Sequence, residues 1–249
     1  MKVWAIATRE VRSLLGSPVG WCVLGGFWLI SGLMWTLSVF GYAATVANQV
    51  YDPYAVAQLT FMGSLVGPWM GNMAVVLVLV APVVSMRSLA EERRSGTLEL
   101  LKTSPVRSIE LVMGKYFGVL AFMSLMLLGT LHAPVGLSLL ADPAWQPMAG
   151  GYLSMFLLAA ALASIGLLCS SVTESQLLAA SMTFVVGFTA YLVGLFDTVH
   201  VDAWHVQLSI YTHLESGFRG AIRWSDCVYF LGLVSTFLVA SWQRMEMDG

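Results

Sequence analysis

The amino-acid sequence predicts an all-α membrane protein with six transmembrane helices. Three observations carry that prediction. Only 10 % of the 249 residues are charged and 58 % are apolar, whereas a soluble domain carries about 25 % charged residues. With a mean hydropathy of +0.79, the chain has too few polar side chains to cover a surface in water. Its apolar residues also fall in unbroken runs, not in the spacing of an amphipathic soluble helix. Six such runs occupy 18–41, 64–86, 116–141, 152–172, 177–196 and 226–243. A helix rises about 1.5 Å per residue, so each run crosses a hydrocarbon core of roughly 30 Å. Backbone amides in lipid must pair within their own segment, which selects helices. The short alternating strands of a barrel are not in the pattern. Residues 1–249 read as a single transmembrane domain.

The first element, residues 1–17, reads as an amphipathic helix lying along the membrane surface. On a 100° wheel Val3, Trp4, Ala7, Val11, Leu14 and Leu15 share one arc, and Lys2, Arg9, Arg12 and Ser13 lie opposite. Pro18 closes it. Glu10 falls at the edge of the apolar arc, where an unpaired carboxylate is costly, so it is expected to face protein. The plainer alternative is a basic flank that only sets topology. Run 18–41 is too long for the core of a removable signal, so it is expected to stay as an anchor.

Lysine and arginine orient the spans. Three precede the first run, six lie between the second and third, and one follows the sixth. Alternating the loops puts these ten on one side, which the positive-inside rule makes the cytoplasm, with both termini. The outer loops 42–63 and 142–151 carry only Asp52 and Asp142. Arg219 and Arg223, between the fifth and sixth runs, strain the rule.

Much chemistry is set aside by what the runs lack. Gradient-driven transport needs ionisable groups at membrane depth, and the interiors of the runs hold no Asp, Glu, Lys or Arg. His132, in "GTLHAPVG", is expected to bond a carbonyl freed beside Pro134 rather than relay protons. Cys22, Cys169 and Cys227 lie in or at runs, which argues against a disulfide framework. A net charge of −2 argues against a nucleic-acid partner. His200, Asp202, His205, His213 and Glu215 invite a metal site, but nothing fixes three or four of them in convergent register. Interfacial polarity beside Trp204, Tyr211 and Trp224 is the better account, and no metal is expected.

Against this apolar background, "MRSLAEERRSGTLELLKTSPVR" (86–107) is crowded with charge. Ser88 and Glu91 have the spacing of a capping box at a helix start. Gly96 suits the residue that ends that helix. Thr97 is placed to cap a second short helix, with Glu99 near its positive end. Pro105 stops it, and Leu98, Leu100 and Leu101 give it an oily face. A solvated loop with good caps is the bland reading of these signals alone.

The wording of the insert says more. "RSLAEERRSGTLELLKTSPV" resembles the stretch that follows the second span in membrane subunits of type 2 ABC transporters, the ABC-2 family. In that family it is the coupling segment, which seats in a cleft of the ATP-hydrolysing subunit. The resemblance assigns that interface to Arg87, Ser88, Glu91, Glu92, Arg93, Gly96, Thr97, Glu99, Leu100 and Leu101, within a coupling segment 87–107. "ATREVRSLLGSPVGW" is similar to the family's N-terminal interfacial helix, carried here by Trp4, Arg9, Glu10 and Arg12. "YTHLESGFRGAIRWSD" looks like the outer segment, 198–225, whose short re-entrant helices dip into the outer leaflet; that placement accommodates Arg219 and Arg223. The small gliding-motility-type permeases are the most similar in length and wording.

The resemblance implies a permease subunit in the bacterial inner membrane, driven by two copies of a separate ABC ATPase that binds ATP and Mg. The chain holds no nucleotide loop of its own: Gly114-Lys115 lacks both the earlier glycine and the following Ser or Thr. No cofactor and no catalytic residue are expected in it. A second copy, or a similar permease, completes the pore, with room for a periplasmic auxiliary protein. Glycine-rich "GSLVGPWMGNM", Pro82 and "HAPVG" serve either as hinges or as packing surfaces. Export of a lipid-linked, peptide or amphiphilic cargo is the first functional reading. The second is a mechanotransmitter that passes ATP-driven motion to an envelope partner, and a stand-alone channel or intramembrane enzyme is the third.

Overall fold

The structure, a computed structural model, describes residues 2–49, 59–94, 107–139, 141–142, 144–196 and 207–247. Every regular element among them is helical. Six helical stretches are long and apolar enough to cross a membrane: Pro18–Gln49, Met62–Arg94, Ser108–Ser138, Trp145–Val172, Gln176–Gly194 and Trp224–Met247. They overlap all six apolar runs; four reach past one or both ends of the run, whereas the runs 116–141 and 177–196 continue three and two residues beyond Ser138 and Gly194.

In chain order the helices are α1 (Lys2–Gly16) and α2 (Pro18–Gln49), then α3 (Gly67–Ser85), which follows a π-helical turn over Met62–Val66. The short α4 (Ala90–Arg94) precedes α5 (Ser108–Gly129) and α6 (His132–Ser138). Next come α7 (Trp145–Val172), α8 (Gln176–Phe196), α9 (Ile210–Phe218) and α10 (Trp224–Met247). The centre of the bundle is α7, which packs on α3, α5, α8, α9 and α10. Its run "AAALASIG" explains that place. Lipid tails are as apolar as leucine, so helices associate in a membrane by close approach, and small side chains permit it. Ala159, Ala161, Ala163 and Ser164 are fully buried. A Cβ on Gly166 would lie 2.0 Å from Ser85 Oγ of α3.

Polar tethers mark the ends and breaks. Between α5 and α6, beside Pro134, the Ala133 N–H turns to Thr130 O at 3.1 Å. Gly129 O is then taken by His132 Nδ1 at 3.0 Å, as expected for this histidine. Tyr152 of α7 donates to Thr130 O at 3.0 Å, fastening the break to the central helix. At the opposite end from α1, His213 of α9 stands 2.8 Å from Asp226 of α10 and stacks on Tyr229, with ring centroids 4.0 Å apart. Ser216 donates to the other oxygen of Asp226 at 2.5 Å. His213 thus serves the α9–α10 joint, while His200, Asp202 and His205 lie outside the described residues. Among the described residues no three His, Cys, Asp or Glu side chains converge. The chain leaves α9 through Gly220, whose φ of 83° favours glycine.

Candidate functional site

Charge gathers where α1, the 86–94 stretch and the start of α5 meet. The sequence makes this meeting possible through "GKYFG" (114–118), two glycines one turn apart on α5. A Cβ on Gly114 would sit 2.6 Å from Ile6 Cβ, and one on Gly118 would sit 2.5 Å from Glu10 Cβ. With both positions bare, α1 lies directly against α5. The protein-facing side of α1 is therefore Ile6, Ala7, Glu10 and Leu14, rotated from the arc read off the wheel. Trp4, on the apolar arc, is 72 % exposed and stacks on Phe117. Arg12 is exposed.

The keystone is Lys115, only 3 % exposed. Its Nζ lies 3.1 Å from Glu10 Oε2 of α1 and 2.9 Å from Glu92 Oε1 of α4, and it also donates to the Ser88 carbonyl. An ammonium has three N–H donors and no acceptor. Here one donor finds an oxygen on α1 and two find oxygens on the 86–94 stretch, so this side chain of α5 pins three segments together. Close by, Arg87 Nε is 3.1 Å from Glu91 Oε2, and Arg87 Nη1 donates to Ser17 Oγ at 3.1 Å. Arg9, Glu10, Ser13, Arg87, Glu91 and Glu92 line one cavity of about 280 Å³. On the other flank of 86–94, a hollow of about 580 Å³ is bordered by Met86, Arg94, Glu174 and Gln176. The stretch stands between two recesses.

The structure thus joins Arg87, Ser88, Glu91 and Glu92 with Arg9 and Glu10, and places Arg93 half-buried on α4. Gly96, Thr97, Glu99, Leu100 and Leu101, with Pro105, lie outside the described residues. The capping box at Ser88 does not form. Ser88 Oγ is buried without a hydrogen bond, and Glu91 turns to Arg87. The physical reason is that there is no free helix start to cap. The chain leaves α3 in continuous turns, with Met86 N bonded to Pro82 O at 2.9 Å and Ser88 N to Ser85 O at 3.1 Å. The sequence puts Lys115 among the basic residues between the second and third runs, because the apolar run begins at Tyr116. The helix begins eight residues earlier, at Ser108, where Glu110 accepts from the Arg107 N–H at 3.0 Å. A span therefore does carry a buried cation.

Two carboxylates share that one ammonium. Burial pushes the Glu10 carboxyl up from its ordinary value, the Glu92 charge adds to the rise, and the attraction of Lys115 only partly opposes it. The folded protein then holds this proton more tightly than the unfolded chain. The stabilising contribution is complete below the ordinary glutamate range and is lost as pH rises through the shifted value. Thermal midpoints measured across that window should fall with rising pH, and Glu10→Gln should flatten this part of the profile.

Six apolar helices around a small-residue centre, with their charge collected at one end, make a multi-pass membrane protein. The sequence profile described as ABC-2 family transporter protein matches residues 4–216. The chain belongs to that family. Its membrane proteins are the permease components of transporters, not themselves enzymes, and work with ABC ATPase partners, generally as dimers. No curated protein matches the chain.

Proposed function

We propose that this chain is the permease subunit of an ABC-2 exporter and that the α1 end of the bundle is its power input. One observation carries the reading: Lys115 locks the 86–94 stretch to both α1 and α5. A push delivered to the insert is then shared at once by two helices, because a fully bonded buried ammonium leaves little slack. Packed helices move as bodies, so the displacement passes along α3 and α5 as a rigid shift. Arg87, Glu91 and Glu92, with the following residues through Leu101, form the surface offered to the ATPase. Two such ATPase subunits bind the ATP and Mg, and a second permease, identical or similar, completes the pathway. The excess of lysine and arginine puts the α1 end and both termini in the cytoplasm of a bacterial inner membrane. The cargo is an amphiphilic, lipid-linked or peptide molecule moving outward. The resemblance of "SPVGW" and "HLESGFRGAIRWSD" to the small gliding-motility-type permeases supports the subtype.

The test is coupling in the purified native complex. Glu91→Arg and Leu101→Asp should leave the spans inserted and the permease folded, yet sever ATP turnover from transport. ATPase rates, subunit association and transport that all ignore both changes would show that the insert is not the input.

A further inference from the structure

At the end of the bundle away from α1, the start of α3, the end of α8 and α9 enclose an open cavity of about 450 Å³. That volume is typical of a small-ligand site, and its wall changes character with depth. At its rim stand Glu215 and Arg219, joined at 2.6 Å and one helical turn apart, both open to the surroundings. An exposed pair of this kind contributes about 0–1 kcal/mol, so either member is readily given a new partner. Beside them, burial and the Glu215 charge push the Tyr211 phenol up from its ordinary value, which keeps it a neutral O–H donor.

Deeper in the same wall lies Asn72. It follows Gly67, which lies against the Phe218 carbonyl of α9, by five residues, which places it about 7.5 Å further along α3. Its side chain is exposed and makes no hydrogen bond among the described residues. A bare amide at that depth is costly unless something bonds it. Val75, about one turn further along α3, supplies an apolar floor. On the α3 side Gly71 leaves the wall without a side chain, and a Cβ there would meet nothing within 4 Å.

From rim to floor the order is paired opposite charges, a hydrogen-bonding amide, then hydrocarbon. A zwitterionic phospholipid presents the same order: ammonium and phosphate, ester carbonyl, acyl chain. We propose that this cavity binds such a lipid, its ammonium beside Glu215, its phosphate on Arg219 and an ester carbonyl accepting from Asn72. A purely anionic headgroup meets the Glu215 carboxylate, and a purely cationic one meets Arg219, so charge complementarity selects the zwitterion. The assignment stands apart from the coupling role given to the α1 end.

Native mass spectrometry tests it on the full chain, taken from vesicles of equimolar phosphatidylethanolamine and phosphatidylglycerol. One phosphatidylethanolamine should be retained per chain, in preference to phosphatidylglycerol. Gly71→Leu, which places a side chain where a Cβ meets nothing within 4 Å, should lower retention by about tenfold, as should Glu215→Gln combined with Arg219→Gln. Equal retention of the two lipids, or full retention in Gly71→Leu, would overturn the proposal. Displacement by soluble glycerophosphoethanolamine at equal concentration would reassign the site to a free headgroup. An Asn72→Cys disulfide between two copies, with no lipid retained, would show that the cavity is closed by protein.

Discussion

Lys115→Met should destabilise the protein by about 3–5 kcal/mol, the scale for removing one partner of a buried ion pair. The methionine fills the volume but leaves Glu10 and Glu92 facing each other out of water. Two outcomes separate this from ordinary core damage. The loss should be smaller at mildly acidic pH, where one carboxylate takes up a proton, and it should be largely repaired by adding Glu10→Gln together with Glu92→Gln. Such non-additivity is the signature of residues in one charged network. Thermal unfolding of the single and triple variants in lipid nanodiscs measures it. Equal losses at all pH values, with no repair in the triple variant, would mean that the charges are incidental.

Gly118→Leu should prise α1 from α5. The glycine's missing Cβ is where the Glu10 side chain lies, so a leucine must displace the helix or be displaced by it. Overpacking of this kind costs about 1–3 kcal/mol. The larger effect is mechanical, because moving α1 also withdraws Glu10 from Lys115. Spin labels on Thr8 and Phe117, both exposed, should report a longer and broader separation in the variant. Gly136, beside which a Cβ meets nothing within 4 Å, is the control: Gly136→Ala should leave that distance unchanged. An unaltered distance in Gly118→Leu would mean that the close approach does not hold α1 in place.

The spans were legible because lipid imposes one crude demand, continuous apolarity over a fixed length. The carbonyl partner of His132 was legible as a type, because a histidine beside a proline at a helix break finds unpaired carbonyls; the one it takes, Gly129 O, is left free where α5 ends. Glu10 was half legible: its place at the margin of an apolar arc foretold protein contact, though not the partner. That partner is 105 residues away in sequence, and no periodicity reports a contact of that kind. Lys115 had a signal of its own in the glycines at 114 and 118, whose spacing marks a helix-docking groove. The run boundary at Tyr116 obscured it. Ser88 misled because capping spacing presumes a helix beginning from a free end, whereas here one helix runs almost unbroken into the next. The pairing of His213 with Asp226 joins helices on either side of a turn at Gly220, and its composition alone reads equally well as interfacial polarity.

Trp28 and Trp69 give the first span an unusual attachment. Trp69 on α3 donates its indole N–H to Ser31 O of α2 at 3.2 Å, and Trp28 on α2 donates to Met126 O of α5 at 3.0 Å. Much of the remaining surface of α2, including Trp21, Leu29, Leu33, Leu37 and Phe40, is turned outward. A rod hung from two pegs resists sliding yet yields to swinging, since oily contacts surrendered to neighbouring helices are regained from acyl chains at little loss. The first span is therefore the natural flank for the assembly to widen sideways, while the alanine-lined middle stays stiff.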